Sequence, residues 1–366
     1  MRGTLLLNFF EPMHMSMKIP NRTPVPNKLH YNSYRTFGCL QHPKRLWNYL
    51  KFKAAKFSSN INYLPLLCDI EPNQVCNFKC KMCDPAVLFN VKRKQMTFED
   101  FKRFIDEQYG LIEVKIQGVG EPLMNKDFLK MCEYALSKKL WVRTTLNGSL
   151  LHKEDAFKHL IDLGIHDINL SCDGASKNTF EAIRQGGIWE LFLENAKLLN
   201  DYNSQFGHGT KTRAWVVIQD SNKHEFYEFP KVFADLGFKE MCFSFAMHNY
   251  GRDEENAADT SFDFTNEDLT HVMNVGQELG IEVFWWQHPS FTKKNFCHIP
   301  FQRVYLTTDM HIVPCCYIAN QEVVDFGHYN DFKDIWFNQY NSFRDAMKDP
   351  EVEVRDYCKN CYGGKP

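Results

Sequence analysis

From residue 64 the chain alternates short apolar runs with helical stretches, six times over. The runs are Leu64–Ile70, Ile112–Ile116, Trp141–Leu146, Ile168–Cys172, Ala214–Ile218 and Met241–Phe245. Between them lie a segment opened by the capping-box-like Thr97-Phe-Glu-Asp100, then Phe128–Leu136, Asp155–Leu163, Trp189–Leu199 and Phe226–Leu236. Strands separated by helices of this length predict a parallel α/β sheet, open or closed. Such sheets carry their sites at the C-terminal ends of the strands. A polar loop over 248–264, a helix over Asn266–Leu279 and a strand over Glu282–Trp286 are expected to follow.

The first run leads into Cys76-Asn-Phe-Lys-Cys80-Lys-Met-Cys83, a C-x₃-C-x₂-C loop. Three thiolates in one loop can hold three irons of a four-iron cluster and leave the fourth open for chemistry. A zinc site or three unrelated buried thiols is the competing reading, although zinc sites usually pair one C-x₂₋₄-C with a second pair nearby. Gln117-Gly-Val-Gly-Glu-Pro122 ends the second run, Thr144-Thr-Leu-Asn-Gly148 the third and Ser171-Cys-Asp-Gly174 the fourth.

The cysteine loop resembles that of the radical S-adenosylmethionine (radical SAM) superfamily, with Met82 where the family has a large apolar residue. The resemblance implies a partial (β/α)6 TIM-like barrel, a [4Fe-4S] cluster on Cys76, Cys80 and Cys83, and bound SAM. It also implies a SAM pocket at Gly118, Gly120, Glu121, Pro122, Asn147, Ser171 and Arg184, with Glu121 near the SAM amino group and Arg184 on its carboxylate. Asp173 reads equally as a turn residue, and Gln219 and Asn222 are weaker pocket candidates.

A second set of cysteines closes the chain: Cys297, adjacent Cys315 and Cys316, then Cys358 and Cys361. Four thiolates suit a structural cluster or zinc, and spacing alone does not choose. With Asp334-Ile-Trp336 and Phe343-Arg344 between, the pattern resembles a SPASM extension in its short "twitch" form. That implies one auxiliary [4Fe-4S] cluster on Cys297, Cys315, Cys358 and Cys361, with Cys316 spare and His311 where the family has glycine. Cys39, Cys68, Cys132, Cys172 and Cys242 read as core thiols.

Charge divides unevenly. Residues 1–65 hold ten Lys/Arg and one acid, while the whole chain stands at −2. Residues 1–45 read as irregular, and Lys44–Phe57 as a short basic helix packed on the barrel through Leu46, Trp47, Leu50 and Phe57. No apolar run reaches the length of a membrane span, and the pattern of a signal peptide is missing. Thirteen cysteines without that pattern place the chain in the cytoplasm. The expected segments are a basic N-terminal extension (1–63), a core barrel (64–250), a connection (251–296) and an auxiliary cluster domain (297–366).

The resemblance implies reductive cleavage of SAM, hydrogen abstraction by a 5′-deoxyadenosyl radical, and an electron donor such as flavodoxin or ferredoxin. The first substrate expectation is a small-molecule alcohol of carbohydrate or aminocyclitol type, oxidised with the auxiliary cluster as electron acceptor. The alternative is modification of a peptide or protein, as in sulfatase maturases and peptide cyclases. No catalytic acid or base is assigned, and no nucleic-acid partner is expected.

Overall fold

Each of the six expected strands of the alternation forms, as does the expected strand at Glu282–Trp286, and an unexpected eighth joins the parallel sheet. The computed structural model describes residues 28–80, 82–83, 94–245, 264–286 and 297–348. The core units run β1 (Leu67–Ile70), α3 (Phe98–Glu107), β2 (Glu113–Ile116), α4 (Phe128–Ser137), β3 (Trp141–Leu146) and α5 (Ala156–Asp162). They continue with β4 (Asp167–Ser171), α6 (Lys177–Ile183), α7 (Trp189–Phe206), β5 (Lys211–Val217), α8 (Phe229–Asp235) and β6 (Glu240–Ser244). Then come α9 (Asn266–Glu278), β7 (Glu282–Trp286), β8 (Arg303–Leu306), β9 (His311–Val313), β10 (Gly327–His328) and α10 (Tyr340–Lys348).

The sheet order is β10-β9-β8-β1-β2-β3-β4-β5-β6-β7. From β8 to β7 all pairings are parallel, and β9 and β10 are antiparallel additions. β7 and β8, the two ends of the parallel run, do not pair with each other among the described residues. The segment 251–296 thus lends one strand to the core sheet, β7, and 297–366 lends three, β8, β9 and β10. β8 lies beside the strand that leads into Cys76, with Asp69 opposite Tyr305.

Helix faces account for the outer layer. Thr97 caps α3 by accepting from the Asp100 N–H, and Phe101, Phe104 and Ile105 are buried on its inner side. Thr265 and Asp268 form a full capping box at α9. Each such buried Phe or Ile contributes about 1.5–3 kcal/mol.

Inside the barrel, alternate strand residues form layers. The lowest is a ring of ion pairs. Arg143 lies 3.2 Å from Glu113 and 3.6 Å from Asp167. Arg213 lies 3.6 Å from Asp167 and pairs with Glu240, which also takes Lys211. Arg303 lies 3.2 Å from Asp69. Four acids meet four bases, so the floor is neutral.

The N-terminal region differs from the irregular extension expected of it. α1 (Lys28–Gln41) and α2 (Pro43–Ala55) are regular helices, joined at His42. Rings carry α1: His30, Tyr31 and Tyr34 each pack edge-on against Trp141, which stacks on His166 at 4.0 Å. The basic helix does pack on the barrel, but through only half of the expected stripe: Leu46 and Phe57 pack on the core, and the other two face outward. Trp47 is 61% and Leu50 48% exposed. Arg45 and Asn48 are the buried residues, because they satisfy the Lys138, Lys139 and Leu64 carbonyls. Residues 1–27 and most of the 248–264 loop lie outside the described residues.

Candidate active site

The loop after β1 is held by its neighbours before any cofactor is considered. Glu71, 2% exposed, accepts from the Val119 N–H (3.2 Å), from the Thr308 N–H (3.2 Å) and hydroxyl (2.8 Å), and from Gln74. Burial pushes its carboxyl up, against the pull of those donors. Asn73 donates to the Val75 and Glu121 carbonyls, while the Gly120 and Glu121 N–H groups donate back to Asn73 and Val75. This close zip explains the glycines. A Cβ on Gly120 would press on the Asn73 and Val75 carbonyl oxygens, and one on Gly118 on the Glu71 side chain.

Cys76 follows. Its sulfur accepts from the Phe78 N–H at 3.4 Å and from Asn147 Nδ2 at 3.9 Å. The Cys83 N–H donates to the Cys80 carbonyl at 3.1 Å, and the Lys79 N–H to the Gln185 carbonyl at 2.7 Å. Burial raises the Cys76 thiol and pushes Cys80 up to about 11. A metal held by these sulfurs would have to displace both protons.

The residues expected around SAM separate into two groups. Gly118 and Ser171 line a cavity at the C-terminal ends of the strands. Glu121, Asn147, Gly120 and Pro122 form the packed wall behind Cys76. Glu121 accepts from the Asn147 N–H (2.7 Å) and the Leu123 N–H (3.1 Å), and burial pushes its carboxyl up to about 7. Pro122 opens a buried 3₁₀ turn. Arg184 is buried with its Nη2 2.6 Å from Asp173 Oδ2, and its Nε–H has no hydrogen-bond partner among the described residues. Asp173 also accepts from the Val217 N–H, so it is neither a simple turn nor a free ligand. Asn222 staples the Asp173 and Val217 carbonyls, whereas Gln219 keeps its Nε2 unpaired.

The cavity holds about 210 Å³. Its wall draws on β2 (Lys115) and the residue after it (Gln117), β3 (Thr145), β4 (Asn169, Ser171), β5 (Trp215, Val217), β6 (Ser244), β7 (Trp286) and β8 (Tyr305). Met82 closes one side and Cys316 another. Trp215 and Trp286 meet edge to face at 5.3 Å. Of these residues the sequence reading named only Gly118 and Ser171 as pocket members. A signal for Lys115 was present: it is the one lysine within an apolar run, at the same strand parity as Gln117.

In the second cysteine set, Cys297 is half-buried and Cys315 is 6% exposed within the main core. Cys316 faces the cavity instead, packed with Tyr305, Val313 and Ala319. Cys358 and Cys361 lie outside the described residues. The turn before β9 corrects one detail. His311 is in the strand, and the left-handed residue is Met310 (φ 67°), so the place that favours glycine is 310.

Residues 70–230 match the model of the radical SAM superfamily, and residues 297–362 that of an iron–sulfur cluster-binding domain, SPASM. The chain carries a radical SAM domain followed by a SPASM domain. GTP 3′,8-cyclase of Aliarcobacter butzleri is 34% identical over 145 residues, 38% of this chain and 42% of that protein. The same enzyme of Staphylococcus epidermidis is 30% identical over 154 residues, 39% of this chain and 43% of that one. The chain thus spans less than half the length of these curated relatives. Among solved structures, Streptococcus suis SuiB bound to its precursor peptide SuiA has a TM-score of 0.63 at 19% identity. The likeness covers 82% of this chain and 71% of that one, and it is a likeness of fold.

A radical SAM domain implies a [4Fe-4S] cluster with SAM, and a SPASM domain implies auxiliary iron–sulfur binding. The residues present fit. No disulfide joins two described cysteines, and N–H donors already address the Cys76 sulfur. Among the described residues no three His, Cys, Asp or Glu side chains converge as a single-ion site requires. A cubane is different, because each thiolate binds a separate iron.

Proposed function

We propose that this radical SAM enzyme is an oxidoreductase acting on a small hydroxylated molecule in the cavity between the first cysteine loop and Cys316. One observation carries the reading: the same cavity wall contains Met82, within the C-x₃-C-x₂-C loop, and Cys316, next to Cys315. When bound, the cluster and SAM supply a 5′-deoxyadenosyl radical that removes a substrate hydrogen, and an auxiliary cluster supplies a destination for the second electron.

The chain's own residues do the rest. Cys76, Cys80 and Cys83 hold the first cluster, and Cys297, Cys315, Cys358 and Cys361 the auxiliary one. Gly118 and Ser171 border SAM at the cavity edge, and the unpartnered Arg184 Nε–H is a donor for its carboxylate. Gly120, Glu121, Pro122 and Asn147 keep the wall behind Cys76 in place. Trp215 and Trp286 exclude water from the reacting centre. Free thiols suit a reducing cytoplasm, and the first cluster needs a low-potential donor of flavodoxin or ferredoxin type. No helix among the described residues is long and apolar enough to cross a membrane.

A second reading, modification of a peptide side chain in the same cavity, draws on the shared fold with SuiB, which is bound to a precursor peptide.

The test is iron, sulfide and zinc per chain after anaerobic reconstitution, with 5′-deoxyadenosine release on reduction with SAM. Expected are about eight irons, falling to about four in the Cys76/Cys80/Cys83→Ala variant with loss of 5′-deoxyadenosine. Zinc without iron ends the reading. Four irons in the wild type remove the auxiliary acceptor and the oxidoreductase assignment with it.

A further inference from the structure

The cavity carries one basic group that no described residue pairs with directly. Lys115 is its sole ionised lining residue among those described, and no acid lines it. The ammonium makes no hydrogen bond or ion pair among the described residues. Its register partner on β1, Asp69, is engaged elsewhere, with both carboxylate oxygens 3.2 Å from Arg303 Nη1. The acids further down are matched base for acid in the floor ring. An ammonium confined this way is costly unless it finds an anion. Burial lowers its proton affinity, as do the nearby Arg143 and Arg303, while Asp69 and Cys316 raise it. Close above, Gln117 leaves its buried Oε1 without a partner, an acceptor waiting for a hydroxyl or amine.

We propose that Lys115 anchors an anionic group, carboxylate or phosphate, of the hydroxylated substrate held in this cavity. The inference rests on the cavity being the active site and names the class of molecule it takes. The anion docks on Lys115, a substrate donor meets Gln117 Oε1, and the indoles of Trp215 and Trp286 cover the carbon frame. A neutral polyol leaves the ammonium uncompensated and binds more weakly. Lys115 is thus a specificity-determining residue. Its position one strand layer below Gln117 sets which substrate carbon reaches the top of the cavity.

The test is equilibrium binding to the reconstituted, SAM-loaded full chain without reductant, using D-glucose, D-glucuronate and D-glucose 6-phosphate as probes that differ in charge. At least one anionic probe is expected to bind about tenfold or more tightly than glucose, the worth of one charge-assisted hydrogen bond. Lys115→Met is expected to erase that preference and Lys115→Arg to retain most of it. Whichever of glucuronate and the phosphate binds better identifies the anion as carboxylate or phosphate. Should Lys115→Met fail to fold, Lys115→Gln replaces it. Equal affinity for all three probes, no binding by any at millimolar concentration, or a preference that survives in Lys115→Met overturns the proposal. Because the measurement needs no radical, a chain that binds anions but releases no 5′-deoxyadenosine fails the earlier reading alone.

Discussion

Glu71 and Thr308 lie 237 positions apart in sequence, yet the Thr308 hydroxyl donates to Glu71 Oε2 at 2.8 Å. This contact ties the base of the first cysteine loop to the turn between β8 and β9. Glu71→Ala leaves the Val119 and Thr308 N–H groups without their acceptor and is expected to cost about 3 kcal/mol. Thr308→Val removes one hydroxyl bond and should cost about 1 kcal/mol. Thermal melts of the two reconstituted variants, read beside the wild type, give the ranking. Equal losses would mean that the hydroxyl bond alone holds this junction.

α2 reverses the usual ranking of arginine and tryptophan. Arg45→Ala abandons two carbonyls at the α4–β3 turn and is expected to cost about 1–3 kcal/mol. Trp47→Ala removes a side chain that is 61% exposed and should change stability by roughly 0.5 kcal/mol or less. Denaturant midpoints of both variants decide it.

The two cysteines at 315 and 316 point to different environments. Cys315→Ser is expected to lose about four irons per chain, while Cys316→Ser keeps them. Iron analysis of the two variants is the check. The reverse pattern would move the ligand into the cavity wall.

Gly120→Ala drives a methyl group toward the Val75 carbonyl oxygen, 2.7 Å from where Cβ must sit. The expected loss is about 3 kcal/mol with reduced iron uptake, because the displaced segment leads into Cys76. Gly164→Ala is the control. Its φ of +73° costs about 1 kcal/mol, but nothing stands within 4 Å of the new atom. Melting and iron content should separate the two.

Burial holds His166 neutral and lowers it to about 4 from an ordinary 6.5. The unfolded chain therefore binds more protons between those values, so stability is present above about pH 6.5 and falls as pH drops toward 4. The loss approaches roughly 3 kcal/mol by the lower end. His166→Gln should flatten this part of the melting-temperature profile, and an unchanged profile would assign the acid sensitivity to other groups.

The β–α alternation was legible because each of the six strands is an apolar run bounded by polar turns. Two of the limits, Trp141–Leu146 and the later Glu282–Trp286, coincide with the strands observed. The cysteine motif was legible because three thiols at fixed spacing have few other uses. The orientation of α2 was not, since Arg45 and Asn48 are buried by carbonyls at 138, 139 and 64 that no local pattern announces. β8 was hidden for a similar reason: four residues become a strand only because β1 offers an open edge. The cavity escaped because its lining comes one or two residues at a time from seven strands, and only folding collects them.

The pairing of β8 with β1 also orders events in time. Arg303 must reach Asp69, which is made 234 residues earlier on the growing chain. Until then the strand that presents Cys76 has an unfilled edge, and Glu71 lacks its Thr308 donors. On the proposed ligand assignment, iron loading of the first cysteine loop is therefore expected to be a late step. A ribosome-bound fragment ending before β8 would offer the proposed ligands only an unfinished cradle, lacking the β8 edge and the Thr308 donors.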